Sequence, residues 1–491
     1  MSRSLVFPLL EREIFLQFVA RLVSEPKISS KTRKALKKWG EFNAPSYGSD
    51  ETSFRELCTL FYAKSVKKVF LTSIGVAAVV IFLRFLGMLQ PLELMSYDIL
   101  ISWRPPEKAG DERVAIIEIS AEELRDIGIP RRNPTQISYE NLRKILRELQ
   151  KYKPRVIGLD IYIDEPDRPD YKELVEHIKT YNLSNEDSDG DIPIIVPCLI
   201  DPNSKQPGAA PEGFPEDYLG FTNFPPEDRF GFSHSEQNQL VVRRYLLTAK
   251  KNLSTTCNTG YSLGLLLAME YLSAQDIDYG YVNKEGQEYI KFENKKEQRI
   301  TVLNDLGKWS SGGYRWREIG DYETLLNYRS VYPLKDSFFK VNVKQILDNS
   351  YRGSLEGLVV LIGYHIDISS HYKDIHKTPF TFGRMGVEKK LPGVQIHAHM
   401  VSQILSAVLD DRLQIVVWPF WGEWLWIGFC SMIVGGLAWK FPRPSSLQLV
   451  GIAAASLLIL SWYFLSCWGW WIPFIPPLLA VAFTVFLAKE D

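Results

Sequence analysis

No Cys-x-x-Cys pair occurs in the sequence. Its five cysteines, Cys58, Cys198, Cys257, Cys430 and Cys467, are scattered over 491 residues, which excludes a zinc ribbon or a thioredoxin-like redox motif. A charge excess is also missing. With 57 basic and 58 acidic residues the net charge is −1, so bulk electrostatics favour neither nucleic acid nor an acidic substrate. The first long apolar run is not expected to be a cleavable signal peptide, because it starts as late as Val69 and lacks a small-residue cleavage site. After the last apolar run only Lys489, Glu490 and Asp491 remain. The expectation is a chain without a kinase, cyclase or phosphatase domain, and not an enzyme.

What is plentiful is apolar and aromatic. The runs 69–89, 415–439, 447–465 and 470–488 each approach the about 20 residues of a membrane-crossing helix. Lys64, Lys67 and Lys68 precede the first run, Lys440 and Arg443 follow the second, and Lys489 follows the fourth. By the positive-inside rule these residues face the cytoplasm, giving four crossings, two cytoplasmic termini and an exterior region from 90 to 413. Arg84 is placed to snorkel from the end of span one, and Glu423 stands near the start of span two. The Trp-rich "SCWGWWIP" falls at the outer interface.

The cytoplasmic segment 1–62 reads as a small all-α unit, with Leu10, Ile14, Phe18 and Leu22 on one helix face. Two roles compete for it: an amphipathic anchor on anionic lipid and an adaptor that docks a soluble protein. In the exterior region, "VAIIEI", "RVIGLDIYI", "IPIIVPCLI" and "LVVLIGY" read as strands. A helix follows the first of them, with Leu142, Ile145, Leu146 and Leu149 at helical spacing and Ser138 at its start. Near-continuous apolar strands alternating with helices imply an α/β domain whose sheet is largely parallel or mixed. The Pro/Gly-rich 201–217 reads as a surface loop. A last helix from Gly393 to Leu409 is expected to lead directly into span two.

Several residues are candidates for ligand contact. Glu118 lies at the end of one predicted strand and Asp160, Asp164 and Glu165 lie in or after another, and in open α/β sheets ligands bind beyond the carboxyl ends of strands. Arg104 and Arg131 have the forked donors that clamp a carboxylate or phosphate. Five of the seven histidines fall between 365 and 399; of these, His376 pairs in sequence with Asp374. His397 and His399 lie two apart, which on a helix puts them on different faces and disfavours a metal pair. No metal or other cofactor is expected. Cys198 and Cys257 could bridge if their region is outside the cytoplasm.

The blocks "MSYDILISWRPP", "DERVAIIEIS", "RVIGLDIYIDEP", "LVVLIGY", "KDIHKTPF" and "LPGVQIHAHMVSQIL", in this order over 92–413, resemble a CHASE type 2 domain, the extracytoplasmic sensory module of bacterial signalling proteins. One span before the domain and three after it also resemble that family. The resemblance implies sensing at a bacterial cytoplasmic membrane. Members usually carry a catalytic output domain after the last span, and the absence of one here implies output through a separate protein.

The expected function is therefore that of a membrane-bound sensor. It detects an unidentified extracytoplasmic ligand or envelope state and informs a cytoplasmic partner through residues 1–62, as a homo-oligomer in the lipid bilayer. Pro392, Gly393 and His397, at the start of the last helix, are the candidate coupling residues. The alternative is a membrane effector or scaffold, recruited through residues 1–62, that oligomerises to perturb the bilayer.

Overall fold

The computed structural model describes residues 51–126, 137–183, 192–200, 208–225, 241–250, 256–284, 287–306, 312–314, 322–331, 337–365, 375–382, 390–441 and 445–489. Arg131, Asp374 and the expected N-terminal helix with Leu10 and Leu22 lie outside these residues. The chain divides into two units, Met1–Lys68 and Val69–Asp491. In the first, the described backbone is helical from Glu51 onward.

The principal helices are α1 (Glu51–Phe85), α2 (Gln90–Ser102), α3 (Tyr139–Gln150), α4 (Leu263–Ser273), α5 (Gly393–Leu409), α6 (Phe420–Lys440), α7 (Ser446–Trp468) and α8 (Ile475–Lys489). The strands are β1 (Asp111–Ser120), β2 (Val156–Asp160), β3 (Ile194–Cys198), β4 (Leu219–Phe221), β5 (Arg244–Leu246), β6 (Ile277–Lys284) and β7 (Gln287–Asn294). They continue with β8 (Arg299–Val302), β9 (Glu323–Leu325), β10 (Phe338–Asn342), β11 (Val359–His365), β12 (Ile375–Lys377) and β13 (Lys390–Pro392).

A wholly parallel sheet of order β10-β1-β11-β2-β3-β4 forms the centre of the second unit. Its middle strands are apolar on both faces because helices cover both. Val114 and Ile116 of β1 and Val359 and Leu361 of β11 share one core with α4 and α5. The alternate residues, Ala115, Ile117, Val360 and Ile362, share a second core with α3. Helix α3 starts at Ser138, whose hydroxyl accepts the Asn141 N–H at 3.2 Å, and it buries the four apolar residues its spacing marks. At Gly363 the sheet comes so near α5 that a Cβ would lie 2.6 Å from Val394 Cβ. The described part of the 201–217 segment stays out of the sheet but is no plain surface loop, since Ala210 and Phe214 are buried in the second core.

Among the described residues, Lys68–Phe85, Phe420–Lys440 and Ser446–Trp468 are long and apolar enough to cross a membrane. The fourth expected run folds differently. Trp470–Trp471 pairs in parallel with Val416–Val417, which leaves α8 with 15 residues, fewer than a straight crossing needs. The same pairing delays the start of α6 to Phe420. Trp471 is not an interfacial side chain: it is fully buried, 4.4 Å from the Tyr97 ring. Nor does α5 run on into α6. It ends at Leu409, and Asp411, at φ +54°, turns the chain away.

Small and polar residues hold α1, α6 and α8 together, as close helix packing in lipid favours. The Ser431 hydroxyl bonds to the Ser73 carbonyl at 3.1 Å and to the Thr484 hydroxyl at 2.7 Å, all buried. At Gly435 a Cβ would come within 2.8 Å of Ser73 Oγ. Arg84 does not snorkel to water. It bonds instead to the Glu423 carboxylate and the Gly312 carbonyl, an inward path with better partners than a lipid headgroup.

Candidate functional site

Two polar clusters lie at opposite ends of the parallel sheet, and α5 joins them. At the carboxyl ends of the strands, Glu118, Gly363 and Asp160 occupy one register row across β1, β11 and β2. By strand alternation, Glu118 and Asp160 face the same side as Val114 and Val156, the side that α5 covers. The absent side chain at Gly363 makes room there for Val394.

Glu118 is fully engaged. Lys340 Nζ is 2.6 Å from its Oε1 and His365 Nδ1 is 3.1 Å from its Oε2, and the Gln395 amide of α5 also donates to it. Burial alone would raise this carboxyl, but the bonds from His365, Lys340 and Gln395 outweigh it and hold the group at about 2. Such a carboxylate is a poor general acid at neutral pH. His397, one turn along α5, has Nε2 3.8 Å from Asp160 Oδ1. Its Nδ1 is 2.6 Å from the Tyr245 hydroxyl, which also accepts the Gly264 N–H at 3.1 Å. Phe224 stacks on the His397 ring at 5.1 Å and meets His376 edge-on at 4.9 Å.

His397 and His399 point to different sides of α5, as helical spacing requires. His399 sits between Tyr328 and Phe338, and its Nδ1 accepts the Arg329 N–H at 3.3 Å. Burial drives the His397 imidazole down to about 3. Burial, reinforced by the Arg412 and Arg329 charges, holds His399 well below its usual value. Both rings are neutral in the fold, whereas the unfolded chain takes up protons near pH 6.5. The unfolded state then binds more protons, so stability is full above about pH 6.5 and falls with acidification toward the folded values. The expected loss is about 1.4 kcal/mol per pH unit for each ring. Denaturant midpoints measured between pH 7.5 and 5 would check this slope; H397F should lose its share of it.

The second cluster lies at the amino ends of the strands. Asp111, the first residue of β1, accepts Arg113 at 2.8 Å, the Ser402 hydroxyl at 2.7 Å and Arg329 at 3.0 Å. Arg329 also donates to Ser402 at 2.6 Å, Ser406 at 2.5 Å and Glu107 at 3.1 Å. Arg412, just past α5, donates to Glu107 at 2.6 Å and to the Asn327 carbonyl at 2.9 Å. The Asn327 side chain in turn accepts Arg104 at 2.5 Å and donates to the Leu413 carbonyl at 2.6 Å. The segment that leaves α2 and the segment that enters α6 are thus tied to each other and to the last two turns of α5.

The sequence candidates do not form one site. Glu118, Asp160, His376 and His397 gather at the strand ends, with Pro392 capping α5 and Gly393 opening it. Asp164 and Glu165 leave that row. Asp164 accepts the Gly208 N–H at 2.5 Å, while Glu165 pairs with Arg168 at 3.4 Å and gives its N–H to the Tyr139 hydroxyl at 3.2 Å. Arg104 belongs to the opposite cluster. Asp111, Arg113, Arg329, Ser402, Ser406 and Arg412 escaped notice in the sequence. One signal was present: Ser402 and Ser406 stand four apart on an otherwise apolar helix, and so on one face.

Cys198, at the end of β3, is bonded to Cys257, with Cα atoms 5.5 Å apart and both residues fully buried.

No curated protein and no solved structure matches the chain. The model of the CHASE2 domain matches residues 75–437, which take in the sheet, both polar clusters, most of the first apolar helix and nearly all of α6. That match covers well over half of the sequence, and the chain belongs to the CHASE2 domain family, a family of sensory domains.

Proposed function

We propose that this protein is a multi-pass sensor in which α5 transmits the state of the strand-end cluster to the membrane helices. One observation carries this proposal: α5 is buried from Gly393 to Val408 and bonds to Glu118 at its start and to Asp111 and Arg329 near its end. A helix of 17 residues is about 25 Å long, and a packed rod of that length moves as a unit. A ligand or envelope state that prefers one setting of the Glu118–Asp160–His397 row would shift α5. Such a shift alters how residues 104–111 and 410–413 are held.

Four crossings with cytoplasmic termini fit the distribution of Lys64, Lys67, Lys68, Lys440 and Lys489. In that arrangement α8 crosses with help from the extended residues before it, and the α/β domain lies outside the cytoplasm of a bacterial cell. Residues 1–62 then serve as the contact for a separate cytoplasmic protein, and a homo-oligomer in the bilayer is the working assembly.

The test uses the full chain in lipid, with spin labels at Val69 and Lys440. E118Q and H397F should each move the distance distribution between these labels by about 1–2 Å, the usual size of a helix shift in such transitions. If both variants fold and leave the distribution unchanged, α5 does not couple the two clusters.

A further inference from the structure

Arg84, Glu93 and Glu423 come from three helices and converge in a buried position. Glu93 and Glu423 are each 1% exposed. Glu423 Oε2 takes Arg84, whereas Glu423 Oε1 has no hydrogen-bond partner among the described residues. The Glu93 oxygens accept the Phe474 N–H at 3.1 Å and the Ile475 N–H at 2.8 Å, at the amino end of α8. Arg84 pairs with Glu423, whereas Glu93 is held by the two backbone N–H groups. Every packed element contributes to this balance. α1 brings Arg84, α2 brings Glu93, α6 brings Glu423, and α8 brings backbone N–H groups. The 312–314 turn brings the Gly312 carbonyl to Arg84. It also brings Tyr314, whose ring lies 4.2 Å from the Arg244 guanidinium; that guanidinium is in turn paired with Glu323 at 2.7 Å.

Two buried carboxylates thus accompany one guanidinium, which bonds to Glu423 alone, and the trio carries one negative charge too many. An uncompensated charge in a dry environment is neutralised rather than kept. Two buried carboxylates beside one cation meet that need when one of them holds a proton. Helix α8 supplies partial positive charge to Glu93, and the bare Oε1 of Glu423 offers a place for the proton.

We propose that Arg84, Glu93 and Glu423 form a proton-binding site that takes up one proton from the solvent on one of its two carboxylates. Uptake converts one carboxylate to the acid and forms no other bond. It weakens the hold of Arg84 on Glu423, and with it a tie between α1 and α6. This site stands whether or not the α/β domain binds a separate ligand.

Infrared difference spectroscopy of the full chain in lipid vesicles, stepped in pH, tests the proposal. The wild type should show the carbonyl stretch of one protonated carboxylic acid, shifted in D2O and by labelled glutamate. E423Q and E93Q each remove the excess charge, so each should lose that band as the remaining carboxylate pairs with Arg84. A wild type without the band overturns the proposal. So does a band that persists in either variant. Should one variant fail to fold, the other and the wild-type spectrum still decide.

Discussion

Replacing Arg329 by methionine should lower the stability of the α/β domain by about 3 kcal/mol, the scale on which removing one partner breaks a buried ion pair. Arg329 is 8% exposed and donates to Glu107, Asp111, Ser402 and Ser406. Methionine fills a similar volume and satisfies none of these acceptors. Asp111 keeps its 2.8 Å bond to Arg113, which sets the cost at the low end for such substitutions. R329K should fall between, since an ammonium keeps the charge but loses the fork that reaches several acceptors at once. Guanidinium unfolding of the solubilised chain, followed by near-ultraviolet circular dichroism, reads the effect. A loss under about 1 kcal/mol, the value of a solvated surface pair, would mean that water rather than Arg329 satisfies the cluster.

The second large effect is expected from the C198S/C257S pair. The disulfide closes a loop with a sequence separation of 59, for which the chain-entropy relation gives roughly 4 kcal/mol. The double variant should unfold at a correspondingly lower denaturant concentration and be indifferent to reductant. The wild type should move to the same midpoint when reduced under unfolding conditions, and resist reduction while folded because both sulfur-bearing residues are fully buried. Equal midpoints for oxidised wild type and double variant would show that the bond does not form in the native chain. A structural disulfide of this kind suits a domain on the oxidising side of a membrane.

The large pieces of the fold were legible because they depend on short-range pattern. Short continuous apolar runs rich in β-branched residues, such as "LVVLIGY", fit a strand in a sheet covered on both faces. The 3.6-residue spacing of Leu142, Ile145, Leu146 and Leu149 places α3 where it occurs, and the bounds of α5 follow from Gly393 and from the loss of apolar residues after Leu409. Helical geometry alone also separated His397 from His399, which now occupy different aromatic surroundings.

Long-range pairing was not legible. Arg84 and Glu423 were each visible as a lone charge in an apolar run, but nothing local says that residues 339 apart will meet. Trp471 looked interfacial by composition and became core, because the 416–417 and 470–471 segments pair and carry its ring onto Tyr97. In the sequence, Glu118, Asp164 and Glu165 looked able to contact one ligand, with Arg104 a separate candidate to clamp an anion. The parallel register sets Glu118 and Asp160 in a row, while the turn after β2 carries Asp164 and Glu165 elsewhere and the segment between α2 and β1 places Arg104 in the opposite cluster.

By itself, then, the sequence determined an α/β domain among apolar helices, for hydrophobic periodicity is a property of neighbouring residues. Only the tertiary structure decided which charges neutralise one another, and that α5 spans from one polar cluster to the other. Burial makes such pairing obligatory, yet the partner is chosen by packing, which no local stretch of chain encodes.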